Sequence, residues 1–213
     1  MRAKLISLAV TGLALAAIPI VGQPTAQAPT SPAPVASPLA EHGQVLVAGK
    51  STPYLIRHLP VSSFPALPAA VAEVLNQRGC TIPQTYEAHR PENVVHGSFQ
   101  RKGSSDWAVL CSANGTVSLL VFLGAAGPGQ VTPSVLVTAA ETGRLQAHDP
   151  SGVLGFNWGI DAATPRQVHD VQAGLAPRPA PPDHDAVADS VVDRWTIYHL
   201  YSGSAWQVLE MND

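Results

Sequence analysis

Two apolar runs with a short polar break between them dominate the middle of the chain. Residues 107–111 and 117–123 flank a break that contains Asn114 and Gly115. Asn-Gly tolerates positive φ at both central positions of a turn, which is typical of a tight β-hairpin. Both faces of each run are apolar, so we expect the hairpin to be covered on both faces and to lie at the centre of a sheet. Residues 93–99 predict a strand that pairs with it.

The same periodicities predict a second hairpin and three helices. Aromatic and β-branched residues prevail at 195–201 and 205–209, on either side of a Ser-Gly-Ser turn. Apolar residues three and four apart predict a helix over 64–78, with Gly79 as its left-handed stop. Val187 and Val191 lie one helical turn apart after Asp183, an N-cap residue, and this predicts a helix at 183–193. A short helix is expected at 164–172.

The remaining stretches have weaker patterns. Short strands are expected at 44–48 and 134–137, whereas the apolar residues 54–56 are confined between Pro53 and Pro60. Residues 141–161 indicate irregular but packed structure. Together the elements predict an α+β fold, in which an antiparallel sheet of two or more hairpins packs with two or three helices and is held by one disulfide.

The N-terminal residues are typical of an exported protein. Arg2 and Lys4 precede an apolar run that ends in small and polar residues, which predicts a signal peptide over 1–22, with cleavage near Ala28 as the alternative. Prolines crowd residues 23–40 and predict a disordered linker. Residues 41–213 then form a single domain. The expected location is secreted or periplasmic, with no integral membrane segment after cleavage of the signal peptide.

The cysteine count fits that location. Cys80 and Cys111 are the two cysteines of the chain, and an even number in an exported protein predicts a disulfide. Two buried free thiols or a redox pair are the alternatives. The predicted bridge joins the end of the 64–78 helix to the end of the 107–111 strand.

Charge narrows the range of partners. The formal net charge is −3 and charged residues make up 13% of the chain, with no basic stripe of the kind that marks nucleic-acid binding. We therefore expect no nucleic-acid partner. Other partners and the oligomeric state remain open at this level.

One acidic cluster is a candidate for calcium. Asp185 and Asp189 share a face of the predicted 183–193 helix, and Asp183 lies at its start. Oxygen-rich sites of this kind can hold calcium, although the loop pattern of an EF-hand is absent. The alternative is a capped helix with a solvated acidic face.

A small set of histidines is the candidate for catalysis. His89 and His96 flank the predicted central strand, and His184 precedes Asp185. These four residues are the candidates for a hydrolase site. The sequence has no Gly-x-Ser-x-Gly elbow, no phosphate-binding loop and no His-Glu-x-x-His motif, but a triad is defined by space and not by sequence order.

Two resemblances bear on this chain. Gly97-Ser98-Phe99, a short polar loop and residues 106–110 resemble one strand–loop–strand repeat of the FG-GAP type, with Gln100 to Ser105 in place of the calcium loop. Over residues 64–213 the chain is similar to exported bacterial proteins of unknown function. The matching stretches are 78–84, 106–112 and 183–185, followed by Trp206. That resemblance implies an exported domain with paired cysteines and implies no activity.

These observations favour a non-catalytic exported domain that binds a ligand or a partner and is stabilised by a Cys80–Cys111 disulfide. We expect no required cofactor, and calcium is the alternative. A hydrolase with a His/Asp site and a calcium-stabilised structural module are the two alternatives.

Overall fold

The computed structural model describes residues 39–124 and 131–209. In this part of the chain about 48% of the residues are in strands and 14% are helical. The predicted α+β class is therefore wrong, and the fold is mainly β, with two sheets and two α-helices. The predicted signal peptide (1–22) and residues 23–38 of the predicted linker lie outside the described residues, and the first strand begins at Leu39.

Nine strands form the larger sheet. In chain order they are β1 (Leu39–Val47), β2 (Lys50–Pro60), β3 (Thr81–Gln84), β4 (Val94–Gly97), β5 (Asp106–Ala113), β6 (Thr116–Phe122), β7 (Ser134–Ala140), β8 (Leu145–Ala147) and β9 (Leu154–Phe156). The order in space is β7-β6-β5-β3-β2-β9-β8, while β1 pairs with β2 and β4 pairs with β5. The β2–β9 pair is parallel, and the other neighbours are antiparallel.

Four strands form the smaller sheet, and two helices complete the fold. The strands follow chain order in space: β10 (Trp158–Ala163), β11 (Ala186–Val191), β12 (Trp195–Ser202) and β13 (Ala205–Val208). The helices are α1 (Ala69–Gln77) and α2 (Pro165–Val171). Short 3₁₀ turns occupy Val61–Ser63 and Glu141–Arg144.

The hairpin predicted at 107–123 is confirmed, and both of its faces are covered. Its predicted place at the centre of the sheet is wrong, because among the described strands only β7 lies beyond β6. Asn114 and Gly115 have φ of 53° and 71°, as a tight hairpin turn requires. On one face of β5, Val109 and Cys111 belong to a buried cluster with α1. On the other face, Leu110 belongs to a cluster with residues of β10 and β11. The molecule is thus layered as helix, sheet, sheet and helix, with α2 on the outer face of the smaller sheet.

The helix predicted at 183–193 is wrong, because these residues contain strand β11. Val187 and Val191 lie four residues apart, and four is also an even number, so the spacing fits the period of a strand as well as that of a helix. Val187 is buried against the larger sheet, while Ala186 and Ala188 pack with α2. Because both of its faces are buried, this segment forms a strand instead of a helix, as in the interior of a sheet.

Two other stretches are more regular than their patterns indicated. Residues 54–56 lie inside β2, an eleven-residue strand that includes Pro53 and ends at Pro60. Residues 141–161 contain the second 3₁₀ turn, β8, β9 and the start of β10. The hairpin predicted at the C-terminus and the helices predicted at 64–78 and 164–172 are confirmed in outline by β12, β13, α1 and α2.

Asn93 connects the two sheets. Its side-chain Nδ2 donates to the carbonyls of Pro83 (2.7 Å) and Trp158 (3.2 Å), and its Oδ1 accepts from the backbone N–H of Ile160 at 3.1 Å. Asn93 has φ of 67°, a left-handed conformation that asparagine tolerates better than most residues. This residue fixes β10 against the loop before β4. Among the described residues, no helix has the length and apolar character needed to span a membrane.

Candidate functional site

A groove of about 770 Å³ lies between the two sheets. Its walls are the 85–92 loop, the start of β4, the middle of β10 and the turn between β11 and β12. We call it the inter-sheet groove. Its polar and aromatic lining residues are Thr85, Glu87, Arg90, Glu92, Asn93, Asp161, Ser190, Asp193, Arg194, Trp195 and Thr196.

A tight turn presents one wall of the inter-sheet groove. The backbone N–H of Arg194 donates to the Val191 carbonyl at 3.0 Å, and Asp193 has φ of 57°. Three residues therefore link β11 to β12. The turn brings Asp193, Arg194 and Trp195 to the groove, and Trp195 is 48% exposed.

Two carboxylates of the groove are held by neighbouring hydroxyls. Glu92 Oε2 accepts from Thr85 Oγ1 at 2.8 Å, and Asp193 Oδ2 accepts from the Tyr86 hydroxyl at 3.2 Å. Desolvation, followed by that bond to Asp193, raises the pKa of Tyr86. Tyr86 also stacks on His148, with 4.5 Å between ring centroids. This wall is therefore fixed before any ligand arrives.

Two guanidinium groups and two carboxylates of the groove remain available. Within the described residues, the side chains of Arg90, Arg194, Asp161 and Glu87 make no hydrogen bond or ion pair. Asp161 is open to water, yet the surrounding walls partly desolvate it. That desolvation raises its pKa; the charge of Glu92 raises it further and the charge of Arg90 lowers it. A free carboxylate at this position lacks a donor that would stabilise its charge.

This arrangement is suited to binding a ligand that carries both charged and hydroxyl groups. The lining of the inter-sheet groove contains no histidine, cysteine or lysine among the described residues. The Ser190 hydroxyl is engaged with Thr196 Oγ1 at 2.8 Å. Guanidinium groups bind carboxylate or phosphate, a carboxylate binds hydroxyl or amine donors, and an exposed indole offers a flat apolar face.

The three aspartates predicted as calcium ligands have separate partners. Asp183 Oδ1 lies 2.5 Å from His184 Nδ1, and this hydrogen bond is the main cause that lowers the pKa of Asp183. Asp185 Oδ2 accepts from the backbone N–H of Ser98 at 2.9 Å. Asp189 is buried and accepts from Trp158 Nε1 at 2.6 Å, with His199 Nε2 at 3.3 Å. The three do not form one of the groups with metal-ligand spacing found among the described residues.

The four residues predicted for hydrolysis also have separate environments. His184 Nε2 faces the Tyr201 carbonyl at 2.8 Å. His96 is exposed, contacts Ser105 Oγ at 2.9 Å and lies against the ring of Trp107. His89 is exposed and lines none of the cavities described above. No side-chain hydrogen bond joins any two of His89, His96, His184 and Asp185 in the described part of the chain.

The loop that resembles an FG-GAP repeat is organised by a buried carboxylate. Asp106 accepts from the backbone N–H groups of Gln100 and Gly124, each at 2.7 Å, and from Ser104 Oγ at 2.5 Å. Protein donors therefore satisfy this carboxylate, which connects the loop to the residues that follow β6.

The predicted disulfide is confirmed. Cys80 and Cys111 are bonded, with 5.1 Å between their Cα atoms and a sequence separation of 31. The bridge joins the segment after α1 to β5, as the positions of the two cysteines predicted.

Comparison with known proteins adds no relatives. The chain matches no protein-family model, no curated protein and no solved structure.

Sequence reasoning missed the residues of the inter-sheet groove. Arg90, Asp161 and Arg194 lie far apart in sequence and form no motif. The one available signal was the Asp-Arg-Trp run at 193–195, three residues with strong binding chemistry at the tip of a turn.

Proposed function

We propose that this chain is an exported, non-catalytic domain that binds a small acidic saccharide in the inter-sheet groove. The observation that carries the proposal is the set of free charged side chains beside an exposed indole. Arg90 and Arg194 would bind the carboxylate of the sugar, and Asp161 would accept hydrogen bonds from its hydroxyls. Trp195 would pack against the apolar face of the sugar ring.

The size and preorganisation of the groove support this proposal. A volume of about 770 Å³ is in the range of small-molecule sites, roughly 300–1,000 Å³. Glu92 and Asp193 are already hydrogen-bonded, so little ordering is needed when a ligand binds. The signal-like residues 1–22 and the disulfide support the exported location.

Calorimetric titration of the oxidised domain, residues 39–213, tests the proposal. The probe is a trisaccharide of galacturonic acid, and maltotriose is its neutral control. We expect binding of the acidic sugar, and we expect Arg194→Gln and Asp161→Asn each to weaken it roughly tenfold or more, since each removes a charged hydrogen-bonding group. Arg166→Gln is the matched control, because its side chain is 91% exposed on α2, outside the groove.

Three results would count against the proposal. Equal affinity for maltotriose would remove the role of the arginines, and unchanged affinity in Arg194→Gln would place the ligand elsewhere. Release of new reducing ends from the trisaccharide would show a glycosidase, with Asp161 and Glu92 as its carboxylates, and would overturn the non-catalytic part of the proposal.

A further inference from the structure

A second group of ionisable side chains meets away from the inter-sheet groove. Glu41 on β1, His58 on β2 and Glu141 in the 3₁₀ turn after β7 each place one ligand atom within 4.8 Å of the others. His58 Nε2 lies 3.5 Å from Glu141 Oε1 and 3.9 Å from Glu41 Oε2. We propose that these three residues bind a divalent transition-metal ion, Zn²⁺ in the first instance. We call them the Glu-His-Glu site.

Two of the three ligand atoms are buried without a hydrogen-bond partner. His58 is 5% exposed and Glu141 is 2% exposed. His58 Nε2 and Glu141 Oε1 have no hydrogen-bond partner among the described residues, and they face each other at 3.5 Å. Unsatisfied buried polar atoms are costly, and an ion between these two atoms would satisfy both at once.

The other polar atoms of Glu41 and His58 are held in place. Glu41 Oε1 accepts from the Tyr54 hydroxyl at 3.0 Å. His58 Nδ1 lies 3.0 Å from Thr81 Oγ1, which donates to the Ser112 carbonyl at 3.5 Å. This pattern of outer contacts is typical of metal ligands, because it orients each side chain and leaves one atom free.

The contacts at Nδ1 permit the tautomer of His58 that metal binding requires. The Thr81 hydroxyl lies 3.0 Å from Nδ1 and can accept from Nδ1–H while it donates to the Ser112 carbonyl at 3.5 Å. In that tautomer Nε2 carries the lone pair and points at the carboxylates.

The spacing and the donor set fit zinc better than calcium. Bonds of roughly 2.0–2.2 Å at tetrahedral angles place ligand atoms about 3.3–3.5 Å apart, so a small closure of Glu41 completes the geometry. Calcium takes six to eight oxygen ligands, whereas this site offers two carboxylates and an imidazole nitrogen. Two carboxylates and a neutral imidazole also balance the charge of a divalent cation.

The Glu-His-Glu site can be reached from solvent. It lies at a cavity of about 240 Å³ that is also lined by Leu39, Gly79 and Gly115. The Glu41 side chain is 48% exposed at this opening. Three protein ligands and an open side leave a coordination position for water or an external group.

Metal titration of the oxidised, untagged domain tests this site, because a polyhistidine tag would itself bind zinc. We expect one equivalent of Zn²⁺ by calorimetry, and a rise in Tm of about 5–10 °C at a hundredfold excess over Kd. Co²⁺ in place of Zn²⁺ should give the visible absorption of a tetrahedral complex. Ca²⁺ should produce neither effect.

Two single variants and two matched controls locate the bound ion. Glu141→Gln and Glu41→Gln should each lower the affinity for Zn²⁺ by roughly 100-fold, because each replaces an anionic ligand with a neutral amide. Glu41→Gln changes a half-exposed residue and should fold normally. Glu73→Gln and His96→Asn remove an exposed carboxylate and an exposed imidazole outside the site, and should leave affinity unchanged.

Two results would overturn the proposal. Zinc binding that survives Glu141→Gln and Glu41→Gln but is lost in His96→Asn would place the ion on the surface. Absence of any Zn²⁺ or Co²⁺ effect on the wild-type domain would mean that a shared proton, rather than a metal, satisfies His58 and Glu141.

Discussion

The side chain of Asn93 bonds to three backbone groups in two segments, the carbonyls of Pro83 and Trp158 and the N–H of Ile160. Asn93→Asp keeps the shape and the left-handed tolerance but removes both donors and places a carboxylate against two carbonyls. We expect a loss of about 3 kcal/mol or more in the free energy of unfolding, because buried polar groups lose their partners. Urea unfolding followed by tryptophan fluorescence measures it.

Asn114→Asp is the matched control for that variant. Asn114 also has positive φ but is exposed in the hairpin turn, so the same chemical change should cost less than about 0.5 kcal/mol. Equal losses in the two variants would mean that backbone conformation, rather than the connection between sheets, explains the effect at position 93.

Asp161 gives a prediction about how stability depends on pH, in which its replacement raises Tm at neutral pH. Its pKa is raised above the ordinary 3.8, so its contribution to stability is present below that value and is lost as pH rises through the raised pKa. Asp161→Asn should therefore raise Tm at pH 7, by less than the equivalent of about 1 kcal/mol because water screens the groove, and should leave Tm unchanged at pH 3.

Asp149→Asn provides the comparison for Asp161. A hydrogen bond from Ser151 lowers the pKa of Asp149, so this carboxyl contributes stability above the ordinary value that is lost as pH falls. Its variant should lower Tm at pH 7. Thermal melts of both variants across pH 3–7 measure these changes in Tm. A fall in Tm for Asp161→Asn at pH 7 would contradict the raised pKa of Asp161. A rise in Tm together with lost sugar binding would mark Asp161 as a residue retained for function at a cost in stability.

At the scale of elements, the residue types in turns predicted the features that depend only on local backbone conformation. The Asn114-Gly115 turn and the stop at Gly79 were predictable, because few residue types adopt these backbone conformations. Strand β11 was not predictable, since a spacing of four fits both periods and its burial depends on α2 and the larger sheet. Propensity gives way to tertiary context in such segments.

The candidate sites were beyond local reasoning for the same reason. Glu41 and His58 lie on adjacent strands, but Glu141 joins them from 83 residues beyond His58. The inter-sheet groove likewise draws Arg90, Asp161 and Arg194 from three separate loops and strands. A single sequence contains no period or motif that links such positions, so only the strand order could bring them together.

At the scale of the whole molecule, the disulfide joins two halves of the larger sheet. Strands β5 to β7 form one half and β2, β9 and β8 form the other, with β3 between them. The register between β3 and β5 consists of one pair, Thr81 with Ser112, and each of these residues directly follows a bridged cysteine. The covalent bond therefore reinforces the shortest pairing in the sheet.

Removal of the disulfide should weaken the β3–β5 pairing and also lower the free energy of unfolding. Cys80→Ala with Cys111→Ala should lower the free energy of unfolding by about 3–4 kcal/mol, the chain-entropy value for a loop of this length. The urea m-value should rise, because an uncrosslinked unfolded chain exposes more surface. Reductant should reproduce both changes in the wild-type domain and have no effect on the double variant.

Amide exchange should accelerate more at Thr81 and Ser112 than at the β5–β6 hairpin, which the Asn114-Gly115 turn holds independently. Equal acceleration of amide exchange in the β3–β5 pairing and in the β5–β6 hairpin would show that the disulfide acts on the unfolded chain alone. It would then not reinforce the β3–β5 pairing.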